Sequence, residues 1–131
     1  MSQQNLEIVR RLHDAYARGD LEAVFAALDP EIEVHDHDLP DSGNYRGLDG
    51  VRQWQADWAG PWEDWGWDPV EFIEAGERVI AVLRVHAKGR HSGIDVEQLN
   101  AAVWTLRDGK CVRLDYYDSR DQALQAAGLR H

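Results

Sequence analysis

Apolar residues recur at three- and four-residue spacing over residues 3–18. Leu6, Ile8, Val9, Leu12 and Tyr16 gather on one side, and Arg10, Arg11, Asp14 and Arg18 on the other, the mark of an amphipathic helix. Gly19 supplies a stop and Asp20 a cap for a second helix over 21–28, closed by Asp29-Pro30. The period then changes. Across EIEVHDHDLP, Ile32, Val34 and Asp36 alternate with Glu33, His35 and His37, which predicts a short strand with the two sets on opposite faces. Residues 39–47, rich in Pro, Asp, Ser, Asn and Gly, read as a loop. A third helix is predicted over 48–59, with Val51, Trp54 and Trp58 inward and Gly60-Pro61 ending it. Strands at 67–75 and 77–89 join at Ala75-Gly76, and strands at 94–107 and 110–118 join at Asp108-Gly109, a strong hairpin signal. A last helix opens at Asp118 or Ser119, with Asp118 the favoured cap, and stops at Gly128. Helices segregated to one face of an antiparallel sheet give an α+β fold. With no repeat or linker, residues 1–131 read as one domain.

Composition narrows the partners. The 131 residues are 44% hydrophobic and 9% aromatic, enough for a core. Lys+Arg number 14 against Asp+Glu 24, a net charge of −10. Such a surface repels phosphate backbones, so no nucleic-acid partner is expected. The basic residues are mostly Arg and form no polybasic run for anionic lipid, and no apolar stretch is long enough to span a bilayer. The single Cys111 has no disulfide partner and belongs to no zinc-binding cluster. The expected setting is cytoplasmic.

Within that order of elements, the stretches RLHDAYARGDLEAVFAALDPEIEVHD, YRGLDGVRQW and VWTLRDGKCVRLDYYDSRDQALQAAGL resemble the SnoaL-like branch of the nuclear transport factor 2-like superfamily. The resemblance covers nearly the whole chain. It implies a cone-shaped, curved antiparallel sheet wrapped around the N-terminal helices, one deep apolar pocket, and a homodimer across the outer face of the sheet. It implies no single activity, because the superfamily holds polyketide cyclases, ketosteroid isomerases, limonene epoxide hydrolases, dehydratases and non-enzymatic accessory proteins.

His35-Asp36-His37-Asp38 is the densest titratable cluster. Asp36 shares its face with Ile32 and Val34 and so points inward. A carboxylate in an apolar cavity gains basicity because burial disfavours the charged form, which suits a general base. By resemblance, Asp36 falls where ketosteroid isomerases keep their catalytic Asp. Their oxyanion-binding Tyr, however, corresponds to Leu12 and their protonated Asp falls near Ala102, which argues against that mechanism. RLDYYDSRDQ resembles the limonene epoxide hydrolase stretch whose first Asp activates water, placing Asp115 there; SnoaL-type cyclases carry their catalytic Asp in the same strand. The hydrolases' Arg-x-Asp pair falls on Arg84 and His86, with His replacing the acid. Their water-orienting Tyr and Asn fall on His35 and His37, and the cyclases also place a His at His35. In the resulting constellation Asp115 takes a proton, Arg84 holds it ionised and an imidazole returns the proton. A one-residue slip on the last strand turns Tyr116 inward instead, so both registers stay open, as does the choice of Asp36 or Asp115 as base.

Trp54 and Trp58 lie one helical turn apart, and Trp62, Trp65 and Trp67 follow the Gly-Pro break as a candidate aromatic lip. Tyr16, His37, Asn100, Trp104 and Tyr116 complete the surface expected to hold substrate. The plainer readings are a solvated or interfacial face for Asp115 and an outward polar row for Arg84 and His86. His35 and His37 lack a third ligand, so no metal is expected. The leading expectation is a cofactor-independent acid/base enzyme of cyclase, isomerase, dehydratase or hydrolase type, acting on an apolar cyclic molecule. The alternatives are a non-catalytic dimer that binds a hydrophobic ligand and a scaffold for protein partners.

Overall fold

Asp108 and Gly109 both take positive φ, 53° and 79°, the twist a tight hairpin needs between paired strands. The computed structural model in which they do so describes residues 2–37 and 43–129; Asp38 and the first part of the expected loop lie outside the described residues. The elements are α1 (Ser2–Ala17), α2 (Leu21–Ala26), β1 (Leu28–Asp36), β2 (Asn44–Arg46), α3 (Gly47–Ala59), β3 (Trp62–Ala75), β4 (Arg78–Gly89), β5 (Asp95–Arg107), β6 (Lys110–Tyr117) and α4 (Arg120–Ala126). The strands form one curved, unclosed sheet in the order β2-β1-β6-β5-β4-β3. Neighbours run antiparallel except β1 and β6, which are parallel. Register shifts interrupt the pairing of β1 with β6, β3 with β4, and β5 with β6, and such irregularities bend a sheet.

Several boundaries differ from the sequence reading. The second helix ends at Ala26 rather than 28, because Leu28 already pairs with Cys111 in the sheet. The end of the expected loop forms β2 against β1. β3 starts at Trp62, where Trp65 and Trp67 alternate with the exposed Asp64 and Asp68. Ser119, not Asp118, caps α4: it is extended (φ −142°, ψ 127°) and its side chain accepts from the Gln122 N–H.

The sheet is buried on both faces at its centre. Val34, Ala81, Leu83, Ala102, Leu114 and Tyr116 pack inward against Val9, Leu12, Val24, Val51 and Trp54 of the helices. Ile80, Val82, Ala101 and Val103 pack outward beneath Ala123 and Leu124 of α4. That second cluster explains the continuous buried run in β4 from Val79 to Leu83. Among the described residues, no helix is long and apolar enough to cross a membrane.

The inward end of β1 depends on a close backbone approach. Asp36 N–H donates to Gly43 O at 2.6 Å, and a Cβ on Gly43 would overlap the Asp36 carbonyl, which cannot yield as a flexible side chain would. Gly43→Ala should therefore lower stability by about 1–3 kcal/mol, read from the midpoint of urea unfolding. Gly60→Ala, whose Cβ meets only ordinary contacts at 3.5 and 3.7 Å, should cost less.

Candidate functional site

The register of β6 decides which groups meet. His35 lies opposite Asp115, and Asp36 opposite Tyr116. Tyr116 is buried with Val34, Asp36 and Leu114 on the inner face. Asp115 therefore projects from the outer face, as the one-residue slip implies.

There Asp115 is held firmly. Arg113 grips it through Nε at 2.8 Å and Nη2 at 3.0 Å, and His37 Nε2 lies 2.9 Å from Oδ1. Burial pushes the Asp115 carboxyl up, but the bonds from Arg113 and His37 outweigh it and hold it below the usual carboxylate range. His37 stacks on Tyr117 at 4.4 Å, while His35 Nδ1 donates to Asn44 Oδ1 at 2.8 Å. Arg84 and His86 do not join them. On β5, Arg84 faces Leu99 and Asp115 faces Val103, four residues apart and so roughly 13 Å along the strand. Arg84 instead lies 3.8 Å from Glu97, and His86 3.5 Å from Asp68, both in solvent. The expected constellation of Asp115, His35, His37, Arg84 and His86 thus does not converge, and none of it reaches the interior. Among the described residues, no three His, Cys, Asp or Glu groups stand together where they could hold a metal ion.

The inner face carries a different set. A cavity of about 20 Å³ lies among His13, Tyr16, Trp54, Trp67, Trp104 and Tyr116, with aliphatic residues closing its floor. That is room for about one water molecule. The deep hollow implied by the resemblance is nearly filled by its own aromatic rings. Trp54 lies 5.5 Å from Tyr116 and 5.9 Å from Trp67, and Trp67 lies 5.3 Å from Tyr16. Trp58 and Trp62, expected to touch substrate, serve as backing: Trp58 packs on Trp67 at 4.9 Å, and Trp62 on Trp58 at 6.4 Å. A vestibule of about 300 Å³ adjoins the cavity, and His13, Tyr16 and Trp67 line both.

Asp36 sits at the inner end, 4% exposed. Its Oδ2 accepts from Trp54 Nε1 at 2.7 Å, which ties α3 to β1. Asn100, 1% exposed, donates to the Tyr116 hydroxyl at 2.5 Å. Burial pushes the Tyr16 phenol well above its usual range, with a Gln55 hydrogen bond pulling the other way. His13, which the sequence reading left unassigned, is buried and accepts at Nε2 from Trp104 Nε1 at 3.1 Å. Its signal was positional: it stands four residues after Val9 and three before Tyr16, on the apolar stripe of α1.

A curved, unclosed sheet packed on N-terminal helices around an aromatic-walled cavity defines an α+β protein of the nuclear transport factor 2-like type. The chain belongs to the SnoaL-like domain family, whose sequence profile matches residues 9–114. No curated protein matches it in sequence. Among solved structures it is similar to a nuclear transport factor 2-like protein from Burkholderia thailandensis E264, at 26% identity over 95% of this chain and 97% of that one, with a TM-score of 0.78. TerC, co-crystallised with polyporic acid, is 20% identical over 95% of this chain and 98% of that one, with a TM-score of 0.75. A protein with a ketosteroid isomerase-like fold from Catenulispora acidiphila DSM 44928, in complex with trimethylamine, is 17% identical over 95% and 94%, with a TM-score of 0.71. At those identities the last two show the fold alone.

Burial pushes the His13 imidazole down from 6.5 to about 4. The unfolded chain takes up that proton near pH 6.5 and the folded chain only near pH 4. Stability from this group is therefore present above pH 6.5 and lost as pH falls through the window, by about 3 kcal/mol. Urea unfolding at pH 7 and pH 4 should show His13→Leu losing less stability over that range than the wild type, by a similar amount.

Proposed function

We propose that the chain is a cofactor-independent acid/base enzyme that moves a proton on a compact, mostly apolar molecule bound at the inner face. Asp36 is the proton acceptor in this reading. The observation that carries it is a buried aspartate, 4% exposed, that accepts from Trp54 and stands opposite Tyr116 in the sheet; it lies directly behind these two residues, which line the cavity. Burying such a group costs several kcal/mol, and a buried carboxylate beside a cavity is a candidate for a functional role. The small cavity favours a compact group over a polycyclic ring system, with the rest of the ligand in the vestibule. The vestibule's size, about 300 Å³, matches the lower end of small-molecule sites. Isomerase-type proton transfer fits better than epoxide opening, because Arg84, His86 and Asp115 lie outside the cavity.

A second reading, a carrier without catalysis, is supported by the apolar wall the cavity presents. The two separate on one experiment. With cyclopentanone in D₂O, the enzyme reading expects faster exchange of the α-hydrogens by proton NMR than in buffer. Asp36→Asn keeps an oxygen for Trp54 to bond and should slow the exchange by about 100-fold or more. Binding without exchange, or exchange untouched by Asp36→Asn, contradicts the enzyme reading.

The homodimer across the outer sheet face is part of the same proposal. Leu99, 45% exposed beside Arg84, offers an apolar contact there. Sedimentation should give a dimer that Leu99→Glu weakens.

A further inference from the structure

One buried basic nitrogen near the cavity has no part in the proposed chemistry. His13 is 6% exposed. With Tyr16 and Trp67 it lines both the cavity and the vestibule, which places its ring at the neck between them. Trp104 Nε1 donates to His13 Nε2 at 3.1 Å. An indole N–H can only donate, so Nε2 keeps its lone pair and the ring proton of the neutral imidazole sits on Nδ1. Among the described residues the ring makes no other hydrogen bond. Phe72 packs on it at 5.9 Å and the Trp104 ring edge-on at 5.8 Å.

A second proton does not fit that seat. It sets one N–H against another at Trp104 and leaves a cation among aromatic rings without an acceptor. No neighbouring charge compensates. On α1, the Arg10 guanidinium lies over Phe72 at 5.6 Å and carries the same sign, while burial keeps the Tyr16 phenol protonated. Asp68 and Glu74 of β3 and Glu22 of α2 are exposed, and the residues of β4 and β5 on the inner face are uncharged. The vestibule offers what the seat lacks, about 300 Å³ of space with Asp68 among its lining residues.

We infer that His13 is an acid-operated gate: neutral, its ring lies against Trp104 and leaves the neck clear; protonated, it turns into the vestibule toward Asp68 and blocks the way to the cavity. The gate does not depend on which molecule the cavity takes, nor on whether that molecule reacts. Burial holds the seated ring at about 4 against 6.5 in water. Full protonation therefore raises the ratio of turned-out to seated ring by about 300-fold. A change of side-chain position needs no unfolding of the helix that carries it.

The deciding test needs no ligand. In ¹⁵N-labelled protein taken from pH 7 to pH 4, the Trp104 indole N–H should lose its hydrogen-bonded shift in step with the His13 ring. Nuclear Overhauser contacts of that ring should pass from Phe72 and Trp104 to Trp65, while amide shifts across the sheet stay in place. Trp104→Phe removes the bond that the second proton breaks and should move the His13 titration to higher pH. His13→Gln should leave the Trp104 N–H without a transition. A protonated ring that stays against Trp104, a Trp104 N–H unchanged to pH 4, or collapse of the whole amide spectrum in the same step overturns the gate. Entry gives a second reading. The association rate of cyclopentanone should fall by about tenfold or more from pH 7 to pH 4 in the wild type and stay level in His13→Gln; the same fall in both proteins overturns the gate. Absence of cyclopentanone binding at pH 7 counts against the inner-face reading alone, and the ligand-free titration then decides the gate.

Discussion

A carboxyl group shut away from water is costly unless its oxygens find donors; the Trp54 indole is one donor to Asp36, 2.7 Å from Oδ2. That bond joins the last residue of β1 to the middle of α3. It also orients the Trp54 ring, against which Trp67 stacks at an interplanar angle of 21° and Tyr116 packs edge-on. Trp67 in turn packs on Tyr16 of α1. A single hydrogen bond thus sits at the head of the aromatic chain that shapes the cavity and its neck.

The sheet separates two polar systems that its sequence interleaves. On the outer face, Asp115 is bonded to a guanidinium and an imidazole and is 13% exposed at its side chain, a satisfied network that stabilises its own geometry. On the inner face the polar atoms are fewer and incompletely paired, with the Trp67 indole N–H and the Asn100 amide oxygen buried without partners among the described residues. Groups of that kind are met by a water or by a ligand atom.

Much of this was legible in the residues. Alternation through Ile32, Val34 and Asp36 fixed the inward aspartate, and the Asp108-Gly109 turn fixed the last hairpin. Alternation also set Leu114 and Tyr116 against Arg113 and Asp115, and set Arg84 and His86 against Leu83, Val85 and Ala87, which are all buried. Analogy with relatives pulled Asp115, Arg84 and His86 inward, against the period of their own strands. The shift between Thr105 and Leu106 that accompanies the final register has no counterpart in the sequence pattern. The filled interior was hidden too, since a count of Trp residues does not reveal whether their rings line a space or occupy it. His13 stands on the apolar stripe of α1 and so reads as inward, but its partner across the core, Trp104, shows only in the fold.

The most direct test is a crystal structure of the protein grown in saturating cyclopentanone. Density for the ketone between Tyr16 and Trp67, on the inner face of the sheet, is the result this account predicts. A ketone seated beside His37 and Asp115, with the interior closed around its aromatic rings, would contradict it.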